Sequence, residues 1–220
     1  MTDISGEAPA PRSGVGQGRV RVWDPLLRIF HWGLVAAFAV AWLSAEDMQP
    51  VHELAGYTIA GLIAFRLVWG LVGSRYARFA QFLRGPRAAL GYLGDMARGQ
   101  ERRYLGHNPA GAAMIVALLL ALSGTAFTGW LMEEPERVAM LPDLPRIVAP
   151  AHADADGEYG EVGEGGEVLE EAHEVLANMT LLLIALHLAG VVLASVRHHE
   201  NLARAMITGK KRSPGSGDIA

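Results

Sequence analysis

The chain has 220 residues, of which 51% are apolar and 19% charged, and its formal net charge is −4. It contains no cysteine, which excludes disulfides, Cys-ligated zinc, iron–sulfur clusters and covalently attached c-type haem. The acidic balance argues against a nucleic-acid partner, and the 8 histidines tilt any metal chemistry toward imidazole.

Residues 1–18 are rich in Gly, Pro and Ser and are expected to be disordered. Four later stretches are almost free of charge: Ile29–Ala45, Leu54–Gly73 (broken by Arg66), Ala110–Met132 and Val175–Val196. A helix needs about 20 such residues to cross the hydrocarbon core of a bilayer, and soluble helices of that length carry a polar face. The expected fold is an all-α, integral membrane four-helix bundle over residues 19–212. Trp23, Trp32 and Trp42 form an interfacial belt around the first span. Asp3, Glu7 and Asp24 precede that span and favour a retained helix over a cleaved signal.

The loops orient the bundle. Between spans 2 and 3 lie Arg75, Arg78, Arg84, Arg87, Arg98, Arg102 and Arg103, against Asp95 and Glu101. The tail after span 4 adds Arg197, Arg204, Lys210, Lys211 and Arg212. The loop 133–171 instead carries 12 acidic residues and two basic ones, Arg137 and Arg146. The positive-inside rule puts both termini and the 2–3 loop in the cytoplasm and the acidic loop outside. Pro86–Met96 reads as a short helix opened by proline, with an apolar face and flanking arginines suited to the membrane surface. Asp154–Gly166 is low in complexity and expected to be mobile, and residues 213–220 are expected to form a flexible tail.

Four histidines sit in or at the edge of spans: His31, His52, His173 and His187. Ionisable side chains in lipid are costly and usually functional, although a single one can be satisfied by a neighbouring helix. His173 and His187 are 14 residues apart, which is about 21 Å along a helix and within roughly 40° of one face. By depth, His52 then pairs with His173 outside and His31 with His187 inside. Two stacked histidine pairs are what two bis-imidazole b haems require, each iron taking one ligand from each of two helices. With both axial positions filled, such haems pass electrons. Gly56 and Gly190 lie on the same faces, where a small residue admits either a flat ring or a close helix neighbour.

Arg66 follows His52 by 14 residues and so lies at the depth of His187. Two readings stay open: it meets a haem propionate, or it snorkels to the inner interface. His107, in Gly-His-Asn-Pro, could contact a propionate or a quinone, although a helix-opening turn explains Asn-Pro by itself. His152 is expected to be solvated, and His198 and His199 to lie at the headgroups.

Taken together, these residues resemble the bacterial cytochrome b561 family, which is related to the b-type cytochrome subunit of nickel–iron hydrogenases. The resemblance rests on Val22-Trp-Asp-Pro-Leu-Leu-Arg-Ile-Phe-His31-Trp, on His52-Glu-x-x-Gly56 and on Phe65-Arg66-Leu-Val-Trp69-Gly70. It extends through Gly106-His-Asn-Pro-x-Gly111, His173-Glu with His187, and Asn201-Leu-x-Arg-Ala-Met-Ile-Thr-Gly209. It implies a multi-pass protein of the bacterial inner membrane with two non-covalent b haems, whose axial ligands match His31, His52, His173 and His187. Such proteins exchange electrons with quinone and with partner dehydrogenases or cytochromes, and some oxidise superoxide.

The leading expectation is electron transfer across the inner membrane between a partner or small donor and quinone. The acidic outer loop could steer a basic soluble redox protein or simply be a solvated linker. A second reading is a stand-alone quinone-linked oxidoreductase, for example one that oxidises superoxide. A third is a non-redox anchor or transporter, although repeated halves and midplane helix breaks are absent from the sequence.

Overall fold

The computed structural model describes residues 18–134, Arg137 and residues 161–219. The expected disorder of the N-terminal segment and the expected solvation of His152 fall on residues outside this set, apart from Gly18. Among the described residues there are seven helices and one two-stranded sheet. Strand β1 is Arg19–Arg21, followed by α1 (Pro25–Ser44), α2 (Gln49–Val72), α3 (Phe79–Phe82), α4 (Pro86–Ala97) and α5 (Pro109–Met132). Then come α6 (Glu161–Arg197), α7 (Leu202–Thr208) and strand β2 (Lys210–Arg212).

Local chemistry sets the helix starts. The Asp24 carboxylate accepts from the Leu27 amide at 2.9 Å and Pro25 follows it, so α1 begins with a capped first turn. Asn108 and Pro109 repeat the device at α5, with the Gly111 amide donating to Asn108 Oδ1 at 2.7 Å. Helix α4 opens at Pro86, as the sequence reading expects.

Helices α1, α2, α5 and α6 are the four that are long and apolar enough to span a membrane, and the chain is a multi-pass membrane protein. Their outward faces carry large apolar side chains, such as Leu43, Leu71, Leu120, Leu182 and Val196, which suit contact with lipid. Close backbone packing joins α1 to α2, α2 to α5 and α5 to α6, while α4 lies along α5. Among the described residues, α6 makes no comparably close approach to α1 or α2.

Strand β1 pairs antiparallel with β2, Val20 opposite Lys211. Both described ends of the chain therefore meet at one end of the bundle, the tail end. The α1–α2 turn and the links to residues 135–160 lie at the opposite, far end. Gly209 makes the turn into β2 with φ +76°, and a Cβ there would lie 2.5 Å from the Trp23 carbonyl oxygen, so this corner needs glycine twice over.

Two expectations are corrected. The acidic outer loop does not extend to 171, because α6 already runs from Glu161. Glutamates spaced among apolar residues continue the helix beyond the membrane-length run. The tail is not flexible over 213–219: the Ile219 amide donates to Arg103 O at 2.9 Å, and Leu105 donates back to Ile219 O at 2.8 Å. The Asp218 carboxylate also pairs with the buried Arg103 guanidinium. Polar composition suggested freedom there, but a buried cation far away in sequence supplies the anchor.

Candidate functional site

At the far end, His52 enters from α2 and His173 from α6, and their ring centres lie 6.2 Å apart with planes at 70°. The side chains thus meet across helices whose backbones stand apart. Each ring is oriented by its Nδ1. His52 Nδ1–H donates to the Ala41 carbonyl of α1 at 2.8 Å. Thr128 of α5 gives its hydroxyl proton to backbone carbonyls of its own helix, such as Gly124 O at 3.0 Å. The Thr128 oxygen is therefore left to accept from His173 Nδ1–H, 2.9 Å away. With both Nδ1 atoms donating, both Nε2 atoms present lone pairs, the form that binds a metal.

The fit of His173 against α5 depends on Gly129. A Cβ there would sit 3.1 Å from His173 Cε1, closer than side chains normally approach.

At the tail end, His31 projects from the second turn of α1, its ring edge-on to Trp32 at 5.1 Å. Its Nδ1 is enclosed and has no hydrogen-bond partner among the described residues. His187 of α6 is half-buried and lies within electrostatic reach of His31. The structure thus brings His52 and His173 into ring proximity and sets His31 and His187 near each other in a second tier.

Arg66 does not snorkel. It is 2% exposed, and its guanidinium is covered by the Phe79 ring at 4.5 Å and the Phe82 ring at 6.0 Å. Its Nη1 is enclosed without a hydrogen-bond partner among the described residues. The carboxylate within electrostatic reach is Asp24, which already accepts from Leu27 N, Trp69 Nε1 and Ser74 Oγ. Those hydrogen bonds outweigh burial and hold Asp24 below its ordinary carboxylate value. A guanidinium buried without an acceptor is strongly destabilising, so this one is built to receive an anion.

Sequence reasoning missed Thr128, Gly129, Phe79 and the enclosure of His107. The first two act across a helix interface and leave no spacing signal. Gly70, four residues after Arg66, is the one local hint of a crowded neighbour, since a Cβ there would lie 2.1 Å from Phe79 Cε2. His198 is half-buried and His199 closes α6 with φ 48°, a left-handed value that histidine adopts more readily than most residues.

Among the described residues, no three His, Asp or Glu side chains cluster into an all-protein metal site. The donor set is paired imidazoles with a buried cation beside them. A non-covalent haem fits that set: two neutral nitrogens for an iron and a guanidinium for a carboxylate. No curated protein and no solved structure matches the chain. A comparison with protein families matches residues 22–209 to the family described as prokaryotic cytochrome b561. That match takes in all four long apolar helices and every histidine of the two tiers, and the chain belongs to the prokaryotic cytochrome b561 family of b-type membrane electron-transfer proteins.

Proposed function

We propose that the protein is a di-haem cytochrome that carries electrons across the bacterial inner membrane between a redox partner or small donor and quinone. His52 and His173 hold the far-end haem, His31 and His187 the tail-end haem, and Arg66 meets a propionate of the latter. Both termini lie in the cytoplasm, α4 rests on the cytoplasmic membrane surface, and a soluble or peripheral redox protein docks at the outer face. The observation that carries the reading is the placement of His173 and His187, 14 residues apart on α6, each beside a histidine from another helix. The 6.2 Å between the His52 and His173 rings supports it. Metal–imidazole bonds of about 2.0–2.1 Å on either side of one ion set ring centres roughly 6 Å apart.

When bound, haem iron alternates between ferric and ferrous states and so carries one electron. The chain's own residues do the rest. Ala41 O and Thr128 Oγ1 keep His52 and His173 in the Nδ1–H tautomer and aim Nε2. The apolar faces of the four helices exclude water, and the Arg66 guanidinium offsets negative charge at the tail end. Two histidines per iron leave no open position for substrate, which favours electron carriage over chemistry at the metal.

The test is a reduced-minus-oxidised spectrum of the purified, haem-replete protein with pyridine haemochrome quantification. Two low-spin b haems per chain are expected. One haem removes a histidine pair from the reading, and none removes the redox function.

A further inference from the structure

We propose that His107 and Arg66 form one carboxylate site, in which His107 Nδ1–H and the Arg66 guanidinium together hold a propionate of the tail-end haem. The proposal rests on the two-haem reading above and assigns His107 a role as a cofactor-positioning residue.

His107 lies in the turn before α5, its ring between Trp23 at 4.6 Å and Phe82 at 4.5 Å. One edge of the residue reaches the surface, but Nδ1 is enclosed and has no hydrogen-bond partner among the described residues. Leaving such a group unpaired costs about 1–3 kcal/mol. Phe82 touches both His107 and Arg66, so two enclosed and unpaired donors flank the same ring. Burial, with Arg66, Lys211 and His187 adding to it, holds His107 down to about 3. The imidazole is therefore neutral at physiological pH and offers one N–H and one lone pair.

The turn that carries His107 is clamped. Lys211 Nζ donates to Tyr104 O at 3.2 Å and to Leu105 O at 3.0 Å. Arg103 is pinned by Glu200 at 3.0 Å and by Asp218, and Asn108 caps α5 immediately after the histidine. The ring has no freedom to swing its Nδ1 into water, so the site is preorganised for its acceptor. A neutral carbonyl oxygen would leave the Arg66 charge unmatched, whereas a carboxylate offers two oxygens and one negative charge to two donors. His187 lies within electrostatic reach of His107, which makes the tail-end cofactor the source of that carboxylate.

The experiment compares His107→Phe with His107→Gln in the haem-loaded full chain, reading each haem's midpoint potential by spectroelectrochemical titration. Phenylalanine keeps the aromatic stack and removes the donor; glutamine keeps an N–H donor and loses the stack. The expected result is a lowered tail-end potential, or loss of that haem, in His107→Phe. His107→Gln should stay near wild type, with the far-end haem unchanged in both as the control for folding. A His107→Phe protein with wild-type potentials overturns the proposal, as does a tail-end haem disturbed only, or equally, by His107→Gln. If the wild-type chain takes up no tail-end haem, the two-haem reading itself fails, and the haemochrome count shows this before any variant is made.

Discussion

The Phe79 ring covers the Arg66 guanidinium at 4.5 Å, in a space that exists only because residue 70 has no side chain. Phe79 comes from α3, beyond the turn that ends α2, and folds back over the helix it has just left. Arg66 is thereby closed off from the surface and aimed at the inside of the bundle.

Gly70→Ala is expected to break this arrangement. The new Cβ would lie 2.1 Å from Phe79 Cε2, so the ring must move. Overpacking of this kind costs about 1–3 kcal/mol. Thermal unfolding in detergent should show the loss, and the tail-end haem potential should shift with it. A variant with wild-type stability would mean that α3 yields freely and does not hold Arg66.

Removing one histidine of α6 should remove one haem. His187→Ala is expected to lose the tail-end haem and keep the far-end one, and His173→Ala the reverse. Pyridine haemochrome should give half the wild-type content in each. Loss of both haems from a folded single variant would contradict the two-tier assignment.

Arg66→Leu takes a positive charge away from the tail end. An iron nearby then favours its ferric state, so the tail-end midpoint potential should fall while the far-end one holds. Equal potentials in variant and wild type would place the anion site elsewhere.

Thr128→Val deletes the acceptor that orients His173, a bond of 2.9 Å. Groups that orient metal-ligating histidines contribute about 10–100-fold to metal affinity. Far-end haem should pass to apomyoglobin about tenfold faster than in wild type, with the tail-end rate unchanged. Identical rates would show that Gly129 packing alone positions the ring.

The tail clasp should loosen in acid. Burial, the largest influence on each, pushes Glu200 and Asp218 up. The amides of Arg212 and Gly215 outweigh it, with Arg103 and, at Glu200, Lys211, and hold both carboxyls below their ordinary values. Their contribution is therefore full above the unfolded values of 4.5 and 3.8 and is lost as pH falls through the lower folded ones. Hydrogen exchange at the Leu105 and Ile219 amides should accelerate below about pH 4, and Glu200→Gln should move the onset upward. Exchange that is flat with pH would mean the backbone pairing alone holds the tail.

Much of this molecule is local and so could be read along the chain. Uncharged runs of membrane length mark α1, α2, α5 and α6, because lipid leaves a helix no need for a polar face. Helical periodicity put His173 and His187 on one side of α6 and matched His52 to His173 by depth, since rise per residue converts spacing into height. Pro86 marked α4 for the same kind of reason. By contrast, the tail 213–219 reads as polar and free, and its order depends on Arg103, more than 100 residues away.

By itself, then, the sequence determined the four spans, the two tiers of histidine and the family, all properties of residue type at fixed spacing on a helix. Only the tertiary structure decided that Arg66 is shut beneath Phe79 instead of reaching the interface, that His107 stands beside it with an unpaired nitrogen, and that the chain's end is clasped to Arg103. Enclosure is made by side chains from other elements, and whether a polar group finds a partner is a property of the packed whole.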